Sequence, residues 1–164
     1  MTSSVSSSRI DSNVFDRTAP AVVSALRALG RAVDDSGLEK TLTELIKIRT
    51  SQINGCAYCL QYHLNVGRKE GLAPTKVDLV ATWRDVDVFS DRERAALGWA
   101  EALTLMARDH ISDAAYVELR THFSELEITF LTAAVGAINA WNRIAGALQF
   151  TPPVPAQHLV QGVL

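Results

Sequence analysis

Residues 44–63 read ELIKIRTSQINGCAYCLQYH and contain both cysteines of this 164-residue chain. Apolar residues occur at helical spacing before the Asn54-Gly55 pair, a dipeptide that can end one helix and allow another to begin. The stretch therefore predicts two helices joined by a tight break. We expect the rest of the chain to be organised around this helix pair.

The two cysteines form a C-x-x-C motif that begins directly after the break. On a helix, Cys56 and Cys59 lie on one face, and His63 lies on the same face four residues beyond Cys59. A position near a helix start favours an anion, so a thiolate of Cys56 forms more easily there than in an average setting. The pattern therefore indicates a redox thiol site at the start of a central helix.

A carboxylate on the preceding helix completes this candidate site. Glu44 and His63 lie roughly 15 and 12 Å from the break at the usual helical rise, so a hairpin would place them opposite each other. A carboxylate that faces an imidazole fixes its tautomer and raises its basicity. Glu44 borders the apolar stripe and therefore needs a partner, whereas Lys47 and Arg49 are expected mostly on the wet side.

Helix signals continue along the rest of the chain, and no segment indicates a strand. They are an apolar helical repeat after Pro20, the capping boxes Ser90-x-x-Glu93 and Ser124-x-x-Glu127, and Ser112 as a further N-cap. Residues 83–89 are predicted to form a loop or an irregular turn. The fold class is therefore all-α, a compact bundle of six or seven helices over residues 14–151, between a disordered tail at 1–13 and a C-terminal tail at 152–164.

Composition narrows the function classes. The net charge is -2 and there is no basic cluster, so neither nucleic acid nor a membrane is expected as a partner. The serine-rich N-terminus lacks the apolar core of a signal peptide, so a cytoplasmic location is expected. In a reducing compartment a C-x-x-C pair is more often catalytic or metal-binding than a structural disulfide. Nucleotide-binding motifs are absent.

The spacing from Glu44 through Cys56 and Cys59 to His63 resembles the signature of the AhpD-like alkylhydroperoxidases, within the carboxymuconolactone decarboxylase superfamily. The resemblance extends to the segments 49–55, 89–95 and 138–143, and it covers roughly residues 20–150. It implies an AhpD-like helical domain that assembles as a homo-oligomer, namely a dimer, trimer or hexamer. No metal and no organic cofactor are implied.

The resemblance also implies a role for each motif residue. Cys59 would attack a hydroperoxide and become a sulfenic acid, Cys56 would resolve it as a Cys56–Cys59 disulfide, and Glu44 with His63 would relay protons. A dithiol of the lipoamide type would be the external reductant. The helix start instead favours Cys56 as the more acidic thiol, and His63 reconciles the two views if it activates Cys59.

Three other functions remain open from the sequence. Tyr58 occupies the place of a histidine in the best-known peroxidases of this family, which favours a thiol-disulfide oxidoreductase or redox sensor with little peroxidase activity. Two thiolates, His63 and Glu44 could instead bind zinc as a structural site. The last alternative is an oligomeric scaffold without catalysis. Lactone decarboxylation is not expected, because the true decarboxylases of the superfamily lack the cysteine pair.

Overall fold

The computed structural model describes residues 8–155, and this range consists of helices and their connections. The helices are α1 (Ser12–Thr18), α2 (Pro20–Asp34), α3 (Lys40–Ile53), α4 (Ala57–Lys69), α5 (Pro74–Leu79), a 3₁₀-helix (Val80–Asp85), α6 (Asp91–Leu105), α7 (Asp113–His122) and α8 (Glu125–Leu148). The all-α prediction is confirmed, although the described range has eight α-helices rather than six or seven.

The additional helix is α1, which begins inside the segment predicted to be a tail. Asp11 caps it by accepting a hydrogen bond from the Asn13 backbone N–H at 2.9 Å. The ring of Phe15 packs against Phe150, with 5.7 Å between the ring centroids. The sequence did not predict α1, because this short segment shows no periodic pattern of apolar residues. The remaining tail predictions, for residues 1–7 and 156–164, lie outside the described residues.

Helix α3 lies at the centre of the domain and packs against α4, α6 and α8. Its apolar residues Leu45, Ile46 and Ile48 are completely buried. Each such side chain contributes about 1.5–3 kcal/mol through removal of apolar surface from water. Since partners cover α3 on several sides, its polar residues Thr43, Glu44, Lys47, Thr50 and Ser51 are buried as well.

Local sequence signals fix the ends of the later helices. Both predicted capping boxes form, with Ser90 and Glu93 at the start of α6 and Ser124 and Glu127 at the start of α8. The predicted loop at 83–89 is wrong in its first part, because Trp83 belongs to the 3₁₀-helix and is buried. Among residues 8–155, no helix is long and apolar enough to cross a membrane.

Candidate active site

The break between α3 and α4 orients the first cysteine. Gly55 has a φ of 65°, a left-handed conformation that favours glycine. The chain then enters α4 with Cys56 as its N-cap, and the Cys56 sulfur accepts from the backbone N–H of Cys59 at 3.4 Å. The predicted helix start is therefore at the first cysteine, where the unpaired N–H groups of α4 face its sulfur.

Both cysteines are free thiols, and both are buried. The Cys59 S–H donates to the Cys56 sulfur and lowers the pKa of Cys56 to about 7; burial opposes this effect, and backbone N–H groups of Cys59 and Tyr58 add to it. The same hydrogen bond, together with burial, raises the pKa of Cys59. In the reduced pair, the thiolate therefore forms on Cys56, as the helix-start argument predicts.

Glu44 and His63 form the second part of the site. His63 Nδ1 lies 2.6 Å from Glu44 Oε2, and the Glu44 side chain is only 1% exposed. Burial would raise the pKa of Glu44, but the hydrogen bond with His63 and the ammonium of Lys47 together lower it to about 2. The carboxylate is therefore ionised at neutral pH.

The imidazole of His63 is poised as a base. Burial lowers its pKa, and this outweighs the opposite effect of the Glu44 carboxylate. A neutral imidazole that faces a carboxylate through Nδ1 carries its proton on that nitrogen, which leaves the Nε2 lone pair available to accept a proton. His63 follows Cys59 by one helical turn on α4.

Lys47 belongs to this group, contrary to its predicted place on the wet side. Its ammonium nitrogen lies 2.9 Å from Glu44 Oε1, and its side chain is 11% exposed. Lys40, one turn before Glu44, lies 3.3 Å from the same oxygen. The reason is the central position of α3, since a buried carboxylate requires a nearby cation and the neighbouring helices cover both.

A glycine lies where the two helices of the site pack against each other. Gly67 follows His63 by four residues, on the same side of α4. A Cβ atom at Gly67 would lie 3.2 Å from Leu72 Cδ2, 3.6 Å from Ile48 Cδ1 and 3.7 Å from Glu44 Cβ. A Cβ atom there would therefore crowd the Leu72 side chain and make ordinary van der Waals contact with Ile48 and Glu44 on α3.

A buried asparagine connects the cysteines to α8. The amide of Asn142 donates to Ser51 Oγ at 3.1 Å, and its oxygen accepts from the Asn54 amide at 2.8 Å. Its side chain also hydrogen-bonds Cys59, which partly offsets the rise in the pKa of that thiol. No role for Asn142 is predicted from the sequence. Its signal was a polar residue one turn after Asn139 in an otherwise apolar part of α8.

A cavity of about 380 Å³ opens onto the second cysteine, a volume in the range of small-molecule sites. Its lining includes Cys59, His63, Tyr58, Tyr62 and Trp141, but not Cys56. A small molecule in the cavity would therefore contact Cys59 and His63 but not Cys56. Cys56 therefore has the lower pKa but does not line the cavity, whereas Cys59 lines it.

The four predicted site residues do not form a metal centre. Within residues 8–155, no three His, Cys, Asp or Glu side chains are arranged to hold a metal ion. The arrangement does not support the zinc-binding alternative.

Together, these observations define an all-helical domain that carries a buried C-x-x-C pair beside a glutamate–histidine pair. Residues 20–102 match the carboxymuconolactone decarboxylase family, and the chain belongs to that family. Its structure places it among the AhpD-like members. The family resemblance noted in the sequence is thus confirmed.

Three similar proteins illustrate this relationship. The uncharacterised protein YdfG of Bacillus subtilis (strain 168) is 34% identical over 130 residues, which are 79% of this chain and 88% of YdfG. The crystal structure of ATU0492 from Agrobacterium tumefaciens is of a protein of unknown function, suggested to be the antioxidant defence protein AhpD. It matches with 41% identity and a TM-score of 0.85, over 90% of this chain and 99% of that one. An uncharacterised peroxidase-related protein with an AhpD core from Ralstonia eutropha JMP134 matches with 26% identity and a TM-score of 0.75, over 85% of this chain and 74% of that one.

Proposed function

We propose that this protein is a thiol-dependent peroxidase that reduces organic hydroperoxides through Cys59 and Cys56. The observation that carries the proposal is the cavity, which Cys59 and His63 line together, whereas the more acidic Cys56 is not part of its lining. Peroxide reduction by a dithiol needs one accessible sulfur to attack, a base beside it and a second thiolate to resolve the product. The site offers each of these in a separate residue.

The first step would deprotonate and oxidise Cys59. Its proton passes to His63, whose Nδ1–H remains bonded to Glu44. The Cys59 thiolate then attacks the terminal peroxide oxygen, the O–O bond breaks, and the proton from His63 leaves with the alkoxide as an alcohol. Cys59 is left as a sulfenic acid, oxidised by two electrons, and the peroxide is reduced by two.

The second step would form the disulfide. The Cys56 thiolate attacks the Cys59 sulfur, the S–O bond breaks, and the hydroxide leaves as water after it takes up a proton. The N-cap position suits Cys56 to this role, because backbone N–H groups at the start of α4 stabilise its thiolate. An external dithiol, expected to be of the lipoamide type, would then reduce the Cys56–Cys59 disulfide.

Intact-mass analysis tests the proposal directly. The reduced wild type, Cys56→Ser and Cys59→Ser are each treated with one equivalent of an organic hydroperoxide. We expect the wild type to lose two hydrogens and Cys56→Ser to gain one oxygen, and we expect Cys59→Ser to be unchanged. The two variants are matched controls, since each removes one sulfur from the same hydrogen-bonded pair. Rapid oxidation of Cys59→Ser would overturn the assignment of the attacking sulfur.

A second candidate function is thiol-disulfide exchange with little peroxide chemistry. The observation in its favour is that Cys56, the first cysteine of the motif, has the lower pKa. The discriminating measurement compares the rate of disulfide formation with a small disulfide donor and with hydroperoxide. Fast reaction with the donor and slow reaction with peroxide, abolished in Cys56→Ser, would favour this candidate.

The assembly and the reductant follow from the family resemblance and remain predictions. A homo-oligomer, as a dimer, trimer or hexamer, is expected, and light scattering coupled to gel filtration measures its mass. Dihydrolipoamide is expected to restore both thiols after oxidation. Mass analysis of the oxidised protein with and without dihydrolipoamide tests this expectation.

A further inference from the structure

The charges around the cavity are not balanced. Its lining contains four basic side chains and two carboxylates. Three of the basic groups have a carboxylate partner, namely Arg27 with Asp16 at 2.9 Å, Lys40 with Asp34 at 2.6 Å and Lys47 with Glu44 at 2.9 Å. The fourth, Arg31, is exposed and has no ion-pair partner among residues 8–155.

Arg31 is carried by the face of α2 that borders the cavity. Residues Leu26, Arg27, Gly30, Arg31 and Asp34 line it at helical spacing. A Cβ atom at Gly30, directly before Arg31, would meet no atom within 4 Å, so this face of α2 leaves open space in front of it. The neutral state of His63 adds no positive charge to the cavity. The surplus charge is therefore on Arg31.

Apolar side chains form much of the remaining wall. Leu26, Val66, Ile138 and Trp141 line the cavity together with the rings of Tyr58 and Tyr62. Such a surface favours an apolar body, whereas a guanidinium favours a carboxylate or another anion. A ligand with an apolar body and one anionic end matches both properties, with its other end at Cys59.

We propose that the preferred substrates are organic hydroperoxides that carry a carboxylate, and that Arg31 selects them. The carboxylate would pair with the guanidinium of Arg31, the apolar body would lie along the cavity wall, and the peroxide group would reach Cys59. This inference rests on the proposed peroxidase function for its chemistry. Its anion selectivity is a property of the cavity and can be measured without turnover.

Binding of a stable analogue tests the selectivity alone. The probes are 4-isopropylbenzoate and the neutral 4-isopropylbenzamide, which share one apolar body and differ in charge. Titration calorimetry on the reduced protein should show tighter binding of the benzoate, by roughly fivefold at low salt, as expected for one partly exposed ion pair. The preference should decrease as salt is added, because the charges are then screened.

A matched pair of variants assigns the preference to one residue. Arg31→Gln should remove the preference for the benzoate, whereas Arg68→Gln should keep it. Arg68 is also an exposed arginine, but it lies on α4 outside the cavity lining, so its substitution makes the same change in net charge. Equal binding of the two probes by the wild type, or a loss of preference in both variants, would overturn the inference.

Kinetics then connect the selectivity to catalysis. The wild type should consume 4-carboxycumene hydroperoxide with a kcat/KM roughly fivefold above that for cumene hydroperoxide, and Arg31→Gln should lose this ratio. Turnover of both hydroperoxides at equal kcat/KM would overturn the anion selectivity while it leaves the peroxidase proposal in place. Binding preference for the benzoate without consumption of either hydroperoxide would overturn the peroxidase proposal and leave the selectivity.

Discussion

Replacement of Cys59 by alanine removes the S–H group that donates to the Cys56 sulfur. This hydrogen bond is the largest cause of the lowered pKa of Cys56, which is about 7 against an ordinary value of 9.0. The difference corresponds to a hundredfold change in acidity, or about 3 kcal/mol in favour of the thiolate. In Cys59→Ala only the backbone N–H groups remain to oppose the effect of burial, so the pKa of Cys56 should rise towards 9.0.

Cys59→Ser is the matched control for this prediction. Its hydroxyl can donate to the Cys56 sulfur in place of the thiol, so the pKa of Cys56 should stay near its wild-type value. At pH 7 about half of Cys56 should be ionised in the wild type and in the serine variant. In the alanine variant, the ionised fraction should be about a tenth or less.

The ultraviolet absorbance of the thiolate measures this fraction without access to the buried sulfur. Titration of the reduced wild type should show the absorbance of one thiolate near pH 7, because the same hydrogen bond raises the pKa of Cys59. Equal midpoints in Cys59→Ala and the wild type would refute the reasoning. An equally raised midpoint in both variants would also refute it, since the loss of the donor would then not be the cause.

Three further predictions concern stability and protonation. Thr50→Val should raise the free energy of unfolding by about 1 kcal/mol, because the buried Thr50 hydroxyl has no hydrogen-bond partner among the described residues. A lower free energy of unfolding for this variant, measured by urea unfolding, would contradict the prediction. Asn142→Ala should lower the free energy of unfolding by about 1–3 kcal/mol in the same assay, because the hydrogen bonds of Asn142 to buried Ser51 and to Asn54 are lost. An unchanged unfolding midpoint would show that these hydrogen bonds contribute little. The NMR titration midpoint of His63 should lie below the ordinary 6.5 in the wild type, because burial disfavours the imidazolium. It should be lower still in Glu44→Gln, because the opposing carboxylate is then gone. A midpoint above 6.5 in the wild type would contradict the expected effect of burial.

Much of the fold could be predicted from local patterns. Ser90 and Ser124 begin helices because the cap and the acidic residue three positions later satisfy each other within one turn, independently of the rest of the chain. The Asn54-Gly55 break is equally local, since Gly55 adopts the left-handed conformation that the turn requires. Helix α1 has no such periodic signal, because its main apolar contact is with Phe150 at the far end of the chain.

The candidate site could be predicted only in part, because contacts between helices place some of its residues. The spacing of Glu44 and His63 from the break was sufficient to place them opposite each other, as their 2.6 Å contact shows. Lys47 could not be placed, because helical periodicity describes one apolar face and α3 is covered on several sides. Asn142 is distant in sequence from the cysteines, and its contacts depend on how α8 packs.

The buried charges on α3 have a consequence for how the protein could be modified. Lys47, Glu44 and His63 occupy space at the centre of the domain that apolar side chains of similar volume could fill. Replacement of a buried ion group by well-packed apolar residues is often neutral or stabilising, whereas removal of one member leaves an unpaired charge and destabilises. Selection for thermal stability alone would therefore tend to replace all three residues together, whereas selection for stability and activity together should retain them.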